Sequence, residues 1–168
     1  MGEEDTIIGG PGIIVEIDET KMGRRKYNRG HRVEGIWVLG GVERTPDRKV
    51  FAVAVPDRSA DTLLAAIRQH VLPGSVIHTD LWRGYARLEE YGYVHRTVNH
   101  AIAFRDPETG VHTNTIEGTW NGMKARIAPR NRTEGLVGGH LWEFIWRRKH
   151  HNNLWEGFTD ALASIHYE

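Results

Sequence analysis

The sequence contains no cysteine, which removes disulfides, thiolate metal sites and cysteine nucleophiles from consideration. It has no apolar run long enough to span a bilayer and no signal-peptide pattern at its start. No internal repeat or low-complexity tract divides it. It also lacks net charge, since 22 Lys and Arg balance 22 Asp and Glu. Generic nucleic-acid binders carry a basic excess, so any such role here has to come from local charge. What is present is 168 residues with 39% hydrophobic content, enough for one domain with a core. Residues 1–12, with "GGPG", read as a flexible lead-in and residues 13–168 as the domain.

The charge is unevenly placed. "KMGRRKYNRGHR" runs from Lys21 to Arg32 with six Lys/Arg and no acid. A second basic cluster, "RRKHH", spans Arg147 to His151 and reads equally well as a solvated helix face. Directly before the first cluster stands "IIVEIDET", a β-type run that finishes in Glu16, Asp18 and Glu19.

Periodicity and turn signals predict the order β-β-β-α-β-α-β-α-α. The strands are Ile13–Asp18, Val33–Arg44 with a bulge or bend at Gly40-Gly41, "KVFAVAVPD", "SVIHTD" and "YVHRTVNH". "TPDRK" makes a hairpin of the second and third. A helix capped by Ser59 has Leu63, Leu64, Ile67 and Val71 along one face, and Leu81–Tyr91 reads as another with Leu81, Tyr85 and Leu88 on one side. Two more run from about Thr115 to Ala128 and from about Gly139 to Asn153. Three antiparallel strands followed by strands that pair in parallel predict an α/β fold, a mixed five-stranded sheet flanked by helices.

Ligand sites on such sheets lie beyond the carboxyl ends of the strands. Asp18 and Asp80 both fall there, and they meet if the first and fourth strands are neighbours. Two such carboxylates repel at low dielectric, and a hard divalent cation, Mg²⁺ or Mn²⁺, relieves that. Glu117, in "HTNTIEGTWNGMK", is the third acid, and Lys124 lies two helical turns further on the same face. Three carboxylates can hold two ions about 3.5–4 Å apart, the arrangement of in-line phosphoryl displacement. Asn114 followed three residues later by Glu117 is also a capping-box-like pattern, so a structural role for this Glu stays open. His78 shares a strand face with Asp80 and is expected to support the site. Asn99, His100 and Asn114 are placed in the same supporting group, Asn114 as the cap of the Glu117 helix.

The segments "VEIDETKMGRRKYNRGHRVEGIWVLGGVER", "VIHTDLWRGYARL", "YVHRTVNH" and "FRDPETGVHTNTIEGTWNGMK" closely resemble the catalytic domain of Merlin-type DDE transposases and the related ISXO-like bacterial insertion-sequence transposases. That resemblance implies a ribonuclease-H-like core. It implies an acidic triad of Asp18, Asp80 and Glu117 holding two Mg²⁺ or Mn²⁺ ions, with Lys124 at the family's lysine position. It further implies metal-dependent strand cleavage at transposon ends and strand transfer into target DNA. The basic segment, with Lys21, Arg24, Arg25, Lys26 and Arg29, is then expected to bind DNA together with Lys124. The implied partners are DNA and further copies of the chain in a synaptic complex, with no membrane. The implied location is the nucleus in a eukaryotic host or the nucleoid in a bacterial one. No zinc-knuckle or helix-turn-helix pattern supplies end recognition. The alternatives are therefore a catalytically idle or domesticated DNA-binding module, and a plain ribonuclease-H-like nuclease.

Overall fold

A computed structural model of the chain describes residues 6–23, 35–103 and 105–165. Its centre is a five-stranded mixed sheet. The strands are β2 (Ile14–Met22), β3 (Ile36–Glu43), β4 (Val50–Val55), β6 (Val76–Thr79) and β7 (Val94–Thr97), in the order β4-β3-β2-β6-β7. Strands β2, β3 and β4 pair antiparallel, whereas β6 and β7 join β2 in parallel. This is the expected mixed sheet, compatible with a ribonuclease-H-like fold. A small parallel pair, β1 (Ile8–Gly9) with β5 (Val71–Leu72), stands beside it.

Helices cover both faces. Helix α1 (Ala60–His70) starts at Ser59, whose Oγ accepts from Thr62 N–H, and it buries Leu63, Leu64 and Ile67. These pack with Val15, Ile17, Leu39, Phe51 and Ile77 on one side of the sheet. On the other side lie α2 (Asn114–Arg126) and α3 (Glu134–Lys149). Ile116, Trp120 and Met123 of α2 and Leu141, Phe144 and Ile145 of α3 pack there with Met22, Val38 and Val42. Helix α4 (Leu154–Ala163) follows and leaves Trp155, Phe158 and Leu162 exposed.

Several expectations need correction. Residues 8–9, assigned to a flexible lead-in, form β1. Ile8 is buried there, and Gly10 N–H donates to Ser75 Oγ at 2.9 Å. Strand β2 runs on past Asp18 to Met22 because β3 pairs with it along its whole length. Gly40 and Gly41 make no bulge, since β3 keeps regular register with both neighbours. Glycine suits both positions because aromatic side chains occupy the space a Cβ would take. A Cβ on Gly40 would sit 2.5 Å from Trp120 Cη2, and one on Gly41 2.5 Å from Phe51 Cε1. The helix expected over Leu81–Tyr91 is replaced by two 3-10 turns, Arg83–Tyr85 and Leu88–Tyr91. Tyr85 and Leu88 do turn inward, but Leu81 is exposed. The last expected helix starts five residues earlier, and α4 was not foreseen.

One buried cluster ties α2 to the sheet. Glu16 is fully buried on β2. Its Oε1 accepts from Arg44 Nε at 2.7 Å and lies 3.2 Å from His112 Nδ1, while its Oε2 accepts from Ile116 N–H at 2.8 Å. Arg44 also donates to the His112 carbonyl at 2.6 Å. Removing one partner of a buried, hydrogen-bonded pair strands the other. Glu16→Gln should therefore cost about 3 kcal/mol in urea unfolding and accelerate amide exchange at Ile116. A cost near zero with unchanged exchange would show that this cluster does not anchor α2.

Candidate functional site

The site forms where β2 and β6 lie side by side. Their parallel pairing ends with Glu16 opposite His78; two residues beyond it on each chain segment stand Asp18 and, just past the end of β6, Asp80. Parallel neighbours are about 4.8 Å apart, so the carboxylates feel each other. Asp18 is pushed up to about 7 from an ordinary 3.8. Burial is the main cause, followed by the charge of Glu19 and, more weakly, that of Asp80.

Each carboxylate is held by a donor. Trp120 Nε1 donates to Asp18 Oδ2 at 3.0 Å, and Trp82 N–H to Asp80 Oδ1 at 2.8 Å. Trp120 reaches Asp18 because its ring lies over Gly40, the β3 residue paired with Asp18. Lys124, one turn after Trp120, is close enough for Asp18 to raise its pKa. Burial and then Arg132 act against this, and they prevail, leaving the ammonium below its usual range.

Glu117 stands apart from the pair. Its Oε1 accepts from Thr113 Oγ1 at 3.2 Å and lies 3.7 Å from His100 Nε2. Among the described residues no group of three or more His, Asp and Glu is gathered closely enough to hold a metal ion. Asp18 and Asp80 are thus brought together, while Glu117 is turned toward His100 with its side chain half exposed.

The supporting residues divide. His100 bridges Thr113, at 2.8 Å, and the third acid. Asn99 caps the following turn through Ala101 N–H and makes no contact with the acids. Asn114 is not the cap of α2. Thr113 holds that position, and Asn114 is an exposed first residue. His78 is buried with Nδ1 lacking a partner among the described residues. Burial first, then the nearby cations Arg44 and Arg96, push it down to about 4. It is therefore neutral at pH 7, as burial also favours for His95 and His112, and these rings bring no positive charge to the acids. Of the basic segment, Arg24, Arg25, Lys26 and Arg29 lie outside the described residues. Lys21 is exposed at the end of β2 with Nζ 5.2 Å from the Trp37 ring centre.

Three residues gained roles the sequence reading did not assign. Glu16 anchors α2. Glu19 points to the opposite sheet face, accepting from Arg58 Nη1 at 3.1 Å and from Tyr85 Oη. Trp120 orients Asp18. The available signal was alternation along β2, which puts Glu16 and Asp18 on one face and Glu19 on the other.

Two neighbouring carboxylates, one within β2 and one just past the end of its parallel neighbour β6, helices on both sheet faces and a lysine-bearing helix alongside fit a class, the ribonuclease-H-like cores. Residues 5–133 match the family model described as the ISXO2-like transposase domain. An uncharacterized transposase-like protein of Haemophilus influenzae is 34% identical over 103 residues, 59% of this chain and 80% of that protein. The chain belongs to the ISXO2-like transposase domain family. No helix among the described residues is long and apolar enough to cross a membrane.

The Asp18–Asp80 pair fits a divalent cation. Its donors are carboxylate oxygens, suited to a hard ion. Trp82 occupies one oxygen of Asp80 and leaves Oδ2 without a partner among the described residues. The upward shift of Asp18 has lost hydration as its main cause and like-charge repulsion as the next, both of which a bound cation would offset. A carboxyl with a folded pKa above its unfolded one binds the extra proton only when folded. Stability therefore falls as pH rises from 3.8 through about 7, and the penalty is complete above that. Asp18→Asn removes the charge and keeps an acceptor for Trp120. In EDTA at pH 8 the variant should be more stable than wild type by roughly 2 kcal/mol, with the difference vanishing toward pH 4. Equal stabilities at both pH values would show that Asp18 is not held under electrostatic tension.

Proposed function

We propose that this chain is the catalytic core of an insertion-sequence transposase, cleaving DNA strands at transposon ends and joining them to target DNA. The carrying observation is that Asp18, raised by desolvation and by neighbouring negative charge, lies close enough to Asp80 to feel it, where β6 ends beside β2. Asp18, Asp80 and Glu117 would hold two Mg²⁺ or Mn²⁺ ions, whose chemistry is to activate a water or 3′-hydroxyl and to stabilise a leaving 3′-oxygen.

The chain's own residues orient and bind. Trp120 Nε1 and the Trp82 amide fix the two aspartates. His100 and Thr113 hold the Glu117 carboxylate at the start of α2, from which its exposed side chain can turn. Lys124 presents an ammonium for a DNA phosphate near Asp18. Lys21 with Arg24, Arg25, Lys26 and Arg29 supplies the backbone grip beyond the end of β2. The finer kinship with Merlin-type elements belongs to this proposal, as do a synaptic homo-oligomer and residence with the host genome, in a nucleus or a nucleoid.

A second reading is a catalytically idle DNA-binding module. It is favoured by the position of Glu117, which faces His100 and leaves the described acids without a three-member cluster.

Metal binding and nicking separate the two. At about a hundredfold excess over Kd, Mn²⁺ should raise the melting temperature of wild type by about 5 °C and leave Asp80→Asn unmoved. Mg²⁺-dependent nicking of duplex DNA should be lost in Asp18→Ala and Glu117→Gln, with both variants still folded. Nicking that persists in Asp18→Ala sinks the catalytic assignment. A wild type that binds DNA yet shows neither Mn²⁺ response nor nicking supports the idle module.

A further inference from the structure

The flank of α2 away from Glu117 and Lys124 borders an open groove of about 560 Å³ between α2, α3 and the β3–β4 hairpin. Four arginines line it, Arg48, Arg126, Arg147 and Arg148, with His151 beside them and no acidic side chain. Arg147 is compensated from outside the groove by Glu143 at 2.8 Å. The other three have no carboxylate within ion-pair distance among the described residues. Arg148 donates from Nε to the Arg48 carbonyl at 3.3 Å, which sets two guanidinium-bearing residues side by side. Burial and then the charge of Arg48 hold Arg148 below its usual pKa range. Such a like-charge arrangement is costly unless an anion shares it.

Two further features fit an extended anion. Gly118 and Gly122 lie on the groove side of α2, and nothing comes within 4 Å of a Cβ built on either, so helix backbone is open to approach. Arg48 stands at the hairpin tip with φ 47°, a left-handed conformation that costs a side-chain-bearing residue about 1 kcal/mol. Glycine would avoid that cost and forgo the guanidinium.

We propose that this groove is a second DNA site, gripping the phosphate backbone of a duplex segment other than the one at the acid pair. It rests on the DNA-processing reading above, and it assigns the "RRKHH" cluster to binding. Guanidinium groups match phosphate oxygens in paired hydrogen bonds. Phe144 is the aromatic side chain in the lining, and it is buried in the core. With no exposed Phe, Tyr or Trp among the described lining residues to stack the bases of a single strand, a lining of four guanidinium groups suits the duplex backbone.

The full chain is titrated in EDTA against a fluorescein-labelled duplex of arbitrary sequence, by anisotropy across a salt series. The test variant is Arg48→Gly/Arg126→Gln. It changes two exposed side chains, and glycine relieves the left-handed backbone, so the fold is retained. Affinity should fall about tenfold near 0.1 M salt, and the slope of log K against log salt should shrink by about two, close to one per lost phosphate contact. Arg87→Gln, whose side chain pairs with Asp61 and Glu90 beside α1, should bind as wild type does. An unchanged slope in the double variant, no binding by wild type, or competition by polyglutamate as strong as by duplex DNA overturns the proposal. The double variant should keep the full Mn²⁺ thermal shift. If instead Asp80 proves indifferent to metal while the salt slope still drops, the metal reading fails and the groove stands.

Discussion

Everything at the acid pair depends on one buried carboxylate that takes no part in the chemistry proposed for it. Burying Glu16 without compensation would be prohibitive. Arg44, His112 and the Ile116 amide supply the compensation together. Their positions make the contact consequential. Glu16 lies two residues before Asp18 on the same strand face, and Ile116 is the residue before Glu117. One hydrogen bond spanning 100 residues of sequence therefore fixes the helix of the third acid against the strand of the first. Trp120, one turn along α2, then reaches Asp18. The clamp sets distance and Trp120 sets orientation.

The site is built under electrostatic tension. Asp18 has Glu19 and Asp80 for charged neighbours and a neutral indole for its donor. The three nearby histidines are driven toward neutrality by burial. Lys124 offers some relief, weakened by its own desolvation. A chain selected for stability alone would have placed an asparagine or a cation here. Strain held at a site in this way is a common mark of function, and it gives a reason for placing a carboxylate within a central strand.

Much of this was legible because sheet-forming sequence has a short period. The β-branched runs and the "TPDRK" turn located the main strands. The parallel pairing of β2 with β6 followed from a helix lying between them in sequence. Legibility failed where tertiary contacts outvote local pattern. Leu81–Tyr91 has helical spacing, but Asp80 accepts from the Trp82 amide and starts a turn, and Gly84 lies under the Trp82 ring. Gly40-Gly41 looks like a bend until Trp120, distant in sequence, and Phe51, the cross-strand partner of Gly41, are seen occupying the space beside it. Asn114 and Thr113 are both good caps, and sequence spacing could not choose between them. Of the three acids closing "IIVEIDET", alternation separates Glu19 from the other two. Only the placement of Arg44 and His112 distinguishes Glu16 as the anchor from Asp18, the acid proposed to act in the chemistry.

Zero net charge is the sum of two opposed local extremes, and α2 lies between them. Its buried stripe, Ile116, Trp120 and Met123, faces the sheet. On one flank Lys124 lies near Asp18 and Glu117 faces His100, and on the other Gly118, Gly122 and Arg126 border the arginine groove. Fields from the two flanks would largely cancel at a distance beyond the Debye length, about 8–10 Å in physiological salt. They do not cancel at contact. DNA held by the arginines, as proposed, would sit on the far side of one helix diameter, about 10 Å, from the carboxylates that would repel it. Separating attraction from repulsion across a single helix would let an electrically neutral chain bring a polyanion close to an acidic centre without a globally basic surface.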